Sequence, residues 1–345
     1  FKHTTYACFI GYITQAVVNN YIPLLFITFQ REYNIPLDRI GLLISINFLT
    51  QLVVDIISSK FADKIGYRKM IVTAHFFAAA GIICMTFLPG IMPDPFAGLV
   101  ISAVIYAVGC GIIEVLISPI MEACPTDNKA QSMSLLHSFY CWGHVGVVLV
   151  STVFFAVFGI HNWRILAFIW VWIPLFNALY FTRVPINTLL GEEKGMSMKS
   201  LFKNKILWLV ILMMICSGAS EQAMSQWASA FAETGLGVSK TIGDLAGPCM
   251  FAVLMGLSRV FYAKFGNVVN LKNFMLISSL LCVFSYLLAT FSPIPVFSLV
   301  GCALCGMSVG IMWPGTFSLS TSYLPMGGTA MFAILAFAGD IGCAG

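Results

Sequence analysis

Eleven apolar runs, most of them about twenty residues or longer, divide this chain, and its charges crowd into the short segments between them. About twenty apolar residues in a helix cross the ~30 Å of hydrocarbon in a bilayer. No water is present there to satisfy backbone amides, so only helices and closed barrels can span it. A barrel is excluded, because these runs are too long for barrel strands and do not alternate apolar with polar residues. Only 9% of the 345 residues are charged and the mean hydropathy is +0.92. A soluble domain carries roughly 25% charged residues, which excludes a soluble enzyme or a nucleic-acid binder. The fold class predicted is an all-α polytopic membrane protein embedded in a lipid bilayer.

The runs fall at residues 6–29, 40–60, 70–91, 96–120, 131–158, 163–183, 206–232, 241–262, 271–291, 295–320 and 328 onward. The eleventh is still apolar at Gly345, so the pattern predicts the rest of that helix and a twelfth. The first run is too long for a cleavable signal peptide and lacks a small-residue cleavage site. With the N-terminus inside, the inner segments hold 14 Lys and Arg residues, and the outer ones hold Arg31, Arg39, Arg164 and Lys240. This asymmetry predicts a cytoplasmic N-terminus and central linker, in a plasma membrane or the cytoplasmic membrane of a bacterium. Residues 184–205, polar and basic, read as a linker between a six-helix half at 1–183 and a second half at 206–345, which holds helices 7 to 11 and is incomplete.

The halves resemble each other. Ser58-Ser-Lys-Phe61-Ala-Asp-Lys64-Ile-Gly66 and Ser258-Arg-Val-Phe261-Tyr-Ala-Lys264-Phe-Gly266 share four of nine residues at an offset of 200. Gly111 and Gly143 fall opposite Gly310 and Gly342 at an offset of 199. This predicts two parallel repeats. The 11 cysteines scatter through apolar runs, where a thiol acts as a small hydrophobe, and no metal site is read from them.

The segment Asp63-Lys64-Ile-Gly66-Tyr-Arg68-Lys69 resembles the signature loop of the major facilitator superfamily between its second and third helices. Gly66 permits a tight reversal, Asp63 suits the positive end of a helix, and Arg68 and Lys69 hold the loop inside. The first glycine of the family pattern is Ser59 here. The resemblance implies a major facilitator fold of two six-helix bundles related by a pseudo-two-fold axis. It also implies that the loop pins one state through contacts between the halves. Gly109-Cys-Gly111-Ile-Ile-Glu114, Leu135-Leu-His137-Ser-Phe-Tyr140, Glu221 early in the second half and Trp313-Pro314-Gly315 look like the fucose:proton symporter branch. That resemblance implies neutral-sugar uptake with protons and a functional acid at Glu114. The acid that the branch carries in its first helix is absent; Gln15, Asn19 and Asn20 stand there instead.

Ionisable side chains inside a membrane are functional candidates by default. The acids within the runs are Asp55, Glu114, Glu221 and Asp340, with Asp244 near an outer mouth, and His137 and His144 lie in the fifth run. No Lys or Arg falls near the middle of a run, which argues against anionic substrates and for neutral or cationic ones. Glu114 sits ~9 Å to the inner side of the midplane at 1.5 Å per residue, with His137 at similar depth. The pair is expected to relay the coupling proton, with Asp340 as a second candidate. Glu221, Gln222, Ser225, Gln226 and Trp227 form a polar and aromatic stripe in the seventh run, at the depth of Asn19 and Asn20. Amides, a carboxylate and an indole suit a hydroxyl-rich solute, although an asparagine can equally serve a helix–helix hydrogen bond. His137, Tyr140 or Cys141, and His144 share a face by spacing, and Trp313 falls opposite Glu114 in the repeat. Trp227→Ala is expected to weaken substrate affinity more than coupling. Asp55 is assigned to gating between the halves, and Pro314-Gly315 predicts a kink.

These residues support three functions. The first is a proton-coupled symporter for a neutral polar solute, most simply a sugar, acting by alternating access. The second is a proton-coupled antiporter exporting drugs or lipophilic cations. The third is a receptor-like member that senses a solute. No phosphate-cradling loop is present to support an ATP-driven pump. No cofactor is expected beyond the coupling ion, a proton with sodium left open, and a monomer is expected to suffice.

Overall fold

The computed structural model describes residues 1–125, 129–187, 198–266, 268–324 and 328–344, without side chains at 59–64, 119, 122, 129–134, 198–199, 318, 321, 328–330 and 332–333. Ten helices among the described residues are long and apolar enough to cross a membrane. The first six are α1 (Lys2–Tyr33), α2 (Leu37–Ile65), α3 (Tyr67–Ile91), α4 (Pro95–Glu122), α5 (Lys129–Phe158) and α6 (Trp163–Arg183). After the linker come α7 (Lys205–Gly235), α8 (Lys240–Phe265), α9 (Leu271–Phe291) and α10, whose segments are Pro295–Val309 and Met312–Tyr323. The shorter α11 (Gly328–Ala344) is the eleventh run. This is an integral membrane protein with an all-α fold.

Helices without a hydrophobic driving force between them approach through small residues, and the glycines matched between the halves do this at corresponding places. A Cβ on Gly111 of α4 would press on Asp55 and the Gln51 carbonyl of α2, and one on Gly310 would press on Met255 and Ser258 of α8. Gly143 lets α5 meet Ile13 and Ala16 of α1, and Gly342 lets α11 meet Ile215 and Ala219 of α7. At Gly342 the obstacle is the backbone carbonyl of Ile215, which cannot rotate away as a side chain would. Gly342→Ala is therefore expected to cost about 1–3 kcal/mol by overpacking, read as a lowered Tm in detergent. An unchanged Tm would show that α7 and α11 separate freely.

Three helices break near a proline, and α7 ends in a π turn, Phe231–Gly235. Proline at 23 opens a 3-10 turn, Pro23–Leu25, that bends the C-terminal part of α1. Pro248 lies in the π turn Leu245–Cys249 of α8. In α10 the break falls at Gly310–Ile311, a turn ahead of the Pro314-Gly315 pair expected to cause it. Pro314 has no N–H for the Gly310 carbonyl four residues back, and that carbonyl instead accepts Arg259 Nε at 3.2 Å.

The α2–α3 reversal uses Gly66 at φ +92°, a conformation open to glycine. Arg68 donates to the carbonyls of Phe181 and Thr182, both at 2.7 Å, and so satisfies the C-terminal end of α6. These contacts of Arg68 lie within one half and differ from the inter-half role that the signature loop implies. The side chains of Asp63 and Lys64 lie outside the described residues, and Lys69 is exposed. In the linker, Thr4 Oγ1 donates to Pro185 O at 2.6 Å and Asn204 caps the start of α7 through Ile206 N at 2.9 Å.

Candidate functional site

The halves meet where α2 packs on α11 and α5 on α8. Between them lies a cavity of about 100 Å³. The N-terminal half lines it with Tyr12, Gln15, Asn19, Phe48, Glu114, His137 and Tyr140, and the C-terminal half with Glu221, Gln222, Arg259, Trp313, Asp340 and Cys343. Glu114, His137, Asp340, Asn19, Tyr140, Glu221, Gln222 and Trp313, each singled out from sequence, thus share one chamber.

Other expected substrate contacts lie elsewhere. Ser225, Gln226 and Trp227 stand one turn further along α7, on the side that is outer by the Lys and Arg count, where the bent end of α1 packs against them. Ser225 Oγ donates to Asn20 Oδ1 at 3.4 Å, and Gln226 Nε2 donates to Asn19 O at 3.3 Å and Gln222 Oε1 at 3.1 Å. The Trp227 ring lies 5.5 Å from Phe26 and against Gly41. Lys240 donates to Leu24 O at 2.8 Å, and Arg31 pairs with Glu233 at 3.0 Å. These residues close the outer side above the chamber. Trp227→Ala is accordingly expected to act on that closure, against the expectation of a binding role. Faster amide exchange around residues 22–30 with unchanged exchange in α4 is the expected reading; unchanged exchange at 22–30 would remove Trp227 from the seal.

Asn20 is also spent in packing, with Nδ2 donating to Ala16 O at 2.9 Å and Tyr140 Oη at 3.3 Å. His144 is buried beside Phe251, ring centroids 6.4 Å apart, where α5 meets α8, and does not line the chamber. Its spacing of seven from His137 keeps it on the same face but two turns further out. A wider recess of about 550 Å³ opens by Arg31, Glu233, His161, Lys240 and Asp244. Asp244 there accepts from Lys240 and Ser229.

The polar groups of the chamber hold one another. Gln15 Nε2 donates to Glu114 Oε2 at 2.7 Å. His137 lies against the Tyr12 ring, centroids 5.2 Å apart, and among the described residues no hydrogen bond joins it directly to Glu114. A relay between the two would run through the chamber. On the other side Arg259 donates to Glu221 Oε2 at 3.3 Å and to Cys141 Sγ at 3.2 Å, besides Gly310 O. Asp55 Oδ1 on α2 and Asp340 Oδ2 on α11 are buried without a hydrogen-bond partner among the described residues.

Arg259 corrects the reading that the membrane interior holds no positive charge. Its Cα lies near the C-terminal end of α8, but its long side chain reaches the Gly310 carbonyl that Pro314 leaves open. The arginine remains consistent with a neutral solute, because three of its bonds are committed within the protein.

Two helical bundles facing each other across a polar chamber, with broken helices around it, define a secondary transporter. The chain belongs to the Major Facilitator Superfamily, whose family model matches residues 7–345. It is similar in fold to the Escherichia coli fucose:proton symporter, at 17% identity and a TM-score of 0.71 over 98% of this chain and 88% of that one. A D-xylose-proton symporter is similar at 14% identity and a TM-score of 0.77, covering 99% and 87% of the two chains. A bacterial homolog of the human lysosomal transporter Spinster, in an inward-facing and unoccupied conformation, is similar at 15% identity and a TM-score of 0.75, covering 99% and 80%. No curated protein matches the chain by sequence. Likeness at identities this low shows the fold alone.

Proposed function

We propose that this transporter is a proton-coupled symporter that takes up a neutral polar solute, most simply a sugar, by alternating access. The observation that carries the reading is the chamber itself. It sets carboxyls, amides, a phenol and an indole around one space, and its single arginine is already paired with Glu221. Gln222, Asn19, Tyr140 and the uncommitted N–H groups of Arg259 suit hydroxyls, which both donate and accept. Trp313 supplies an apolar face. Glu114, His137 and Asp340 carry the coupling proton, with sodium as the alternative ion, and neutralising an acid lowers the cost of closing the chamber around it. Similar structures that are sugar:proton symporters agree with this reading. The protein works as a monomer in a bacterial cytoplasmic membrane, with its N-terminus and linker inside.

One feature favours a second reading, a proton-coupled antiporter for lipophilic cations. Glu114, Glu221 and Asp340 outnumber Arg259 around the chamber, and an acidic, partly aromatic space attracts cations. Proteoliposomes in weakly buffered medium, presented with neutral sugars and then with cationic dyes, separate the two. Alkalinisation of the medium on adding a sugar is expected for the symporter. Proton movement only with dyes, opposite to the dye, would establish the antiporter and overturn the first reading. Alkalinisation that requires sodium would replace the ion.

A further inference from the structure

We propose that the recess beside Arg31 and Glu233 is a second binding site, for an uncharged, hydroxyl-bearing molecule of sugar size, and that its occupant holds the two halves closed. At about 550 Å³ the recess exceeds the chamber's about 100 Å³ and falls within the ~300–1,000 Å³ of small-molecule sites. Helix α1 starts beside the linker, where Thr4 meets Pro185, and reaches the recess only with its last turns, so the site lies at the far end of the bundle. It is separate from the chamber. Gln226, bonded to Gln222 and to Asn19 O, stands between them on α7, and Ser229, about a turn further on, already bonds Asp244 in the recess.

The spare hydrogen-bonding groups of its wall are hydroxyls. Thr152 on α5 lines the recess, is 3% exposed, and its Oγ1 is buried without a hydrogen-bond partner. A threonine inside a helix can return its hydroxyl to the carbonyl four residues back; Thr152 does not, which leaves that hydroxyl to a ligand. Thr28 and Thr241 add two more, and Ile27, Phe155 and Ile160 give an apolar wall for the C–H face of a sugar. The charges are already answered within the protein. Arg31 pairs with Glu233 at 3.0 Å, Lys240 donates to Asp244 Oδ1 at 3.3 Å, and Glu32 accepts from Arg164 and from Trp163 Nε1. An ionic ligand would have to break one of these pairs, whereas hydroxyls, which donate and accept, need not. Thr28 and Thr152 belong to one half and Thr241 to the other, and the contacts that bring these walls together, Arg31 to Glu233 and Lys240 to Leu24 O, cross between the halves. Parting the halves dismantles the site. A ligand that binds one arrangement and not the other shifts the population towards it, so an occupant resists opening, and abundant solute at this end slows its own transport.

The effect on transport rests on the symport reading; the site and its chemistry do not. Full-length protein in nanodiscs is titrated with D-glucose, D-xylose, L-fucose and sucrose and followed by amide hydrogen exchange. At least one of these sugars is expected to slow exchange at residues 26–32 and 240–245, in the parent and equally in Gln222→Ala, where the chamber is weakened. Thr152→Val should raise the half-protecting concentration about tenfold, the loss of one hydrogen bond to a buried hydroxyl. Thr241→Trp, at an exposed position where folding is not at stake, fills the recess and should abolish the protection. The proposal is overturned if none of the four sugars protects these residues, if protection survives Thr241→Trp, or if it is lost in Gln222→Ala. In proteoliposomes, uptake of the protecting sugar should pass through a maximum and fall about twofold or more as its concentration rises further. Uptake that only saturates would overturn the closing effect. Protection without proton movement would remove the symport reading and leave the site, and proton movement without protection would do the reverse.

Discussion

Glu114→Gln is expected to abolish proton-driven accumulation of solute in proteoliposomes while leaving solute counterflow intact. The glutamine keeps the shape of the side chain and still accepts the hydrogen bond from Gln15 Nε2, so the chamber wall survives. It cannot bind and release a proton, so movement of the halves no longer depends on the pH gradient. Counterflow needs the loaded carrier alone to reorient, which a permanently neutral side chain permits. Loss of both activities would assign Glu114 to substrate binding or folding. Wild-type accumulation would remove it from coupling and leave Asp340 to carry the proton.

Much of this architecture is legible because a bilayer leaves few choices. Runs of about twenty apolar residues must be helices. The offset of 199 that pairs Gly111 with Gly310 and Gly143 with Gly342 corresponds in three dimensions to matched helix contacts, because a glycine in a membrane helix often marks where a backbone approaches. Depth is legible too, which is why Glu114, His137, Glu221 and Asp340 line one chamber.

The rest was hidden because depth along a helix does not give direction around it or the reach of a long side chain. Ser225, Gln226 and Trp227 follow Glu221 by a single turn, and that turn separates the chamber from its outer closure, where the kink at Pro23 brings α1 across. Asn177 on α6 is an isolated amide in its apolar run. It bonds His75 of α3 at 2.8 Å and Ala7 O of α1 at 3.0 Å, a buried tie among three helices without periodicity to announce it. Arg259 was read by the position of its Cα. The signal that could have placed it was available in the repeat: Pro314 lies in α10 and frees a carbonyl close to where Gly310 meets α8.

That arginine carries the largest stability effect expected. Arg259 and Glu221 are each about nine-tenths buried and pair at 3.3 Å, so neither charge has water to fall back on. Removing one partner from a buried pair leaves the other uncompensated, at a cost of about 3–5 kcal/mol. Arg259→Gln also deprives Gly310 O and Cys141 of their donor, which loosens α10 against α8 and α8 against α5. A large fall in Tm in detergent is therefore expected, with solute binding lost as the chamber deforms. Glu221→Gln in the same chain removes the stranded carboxylate and is expected to restore most of the Tm, because replacing both partners of a buried pair costs far less than removing one. Binding should remain weakened in the double variant, which has lost both the carboxylate and the guanidinium lining the chamber. A single variant that melts with the parent would show that Glu221 is neutral or hydrated without Arg259, and the arginine would then belong to substrate recognition alone.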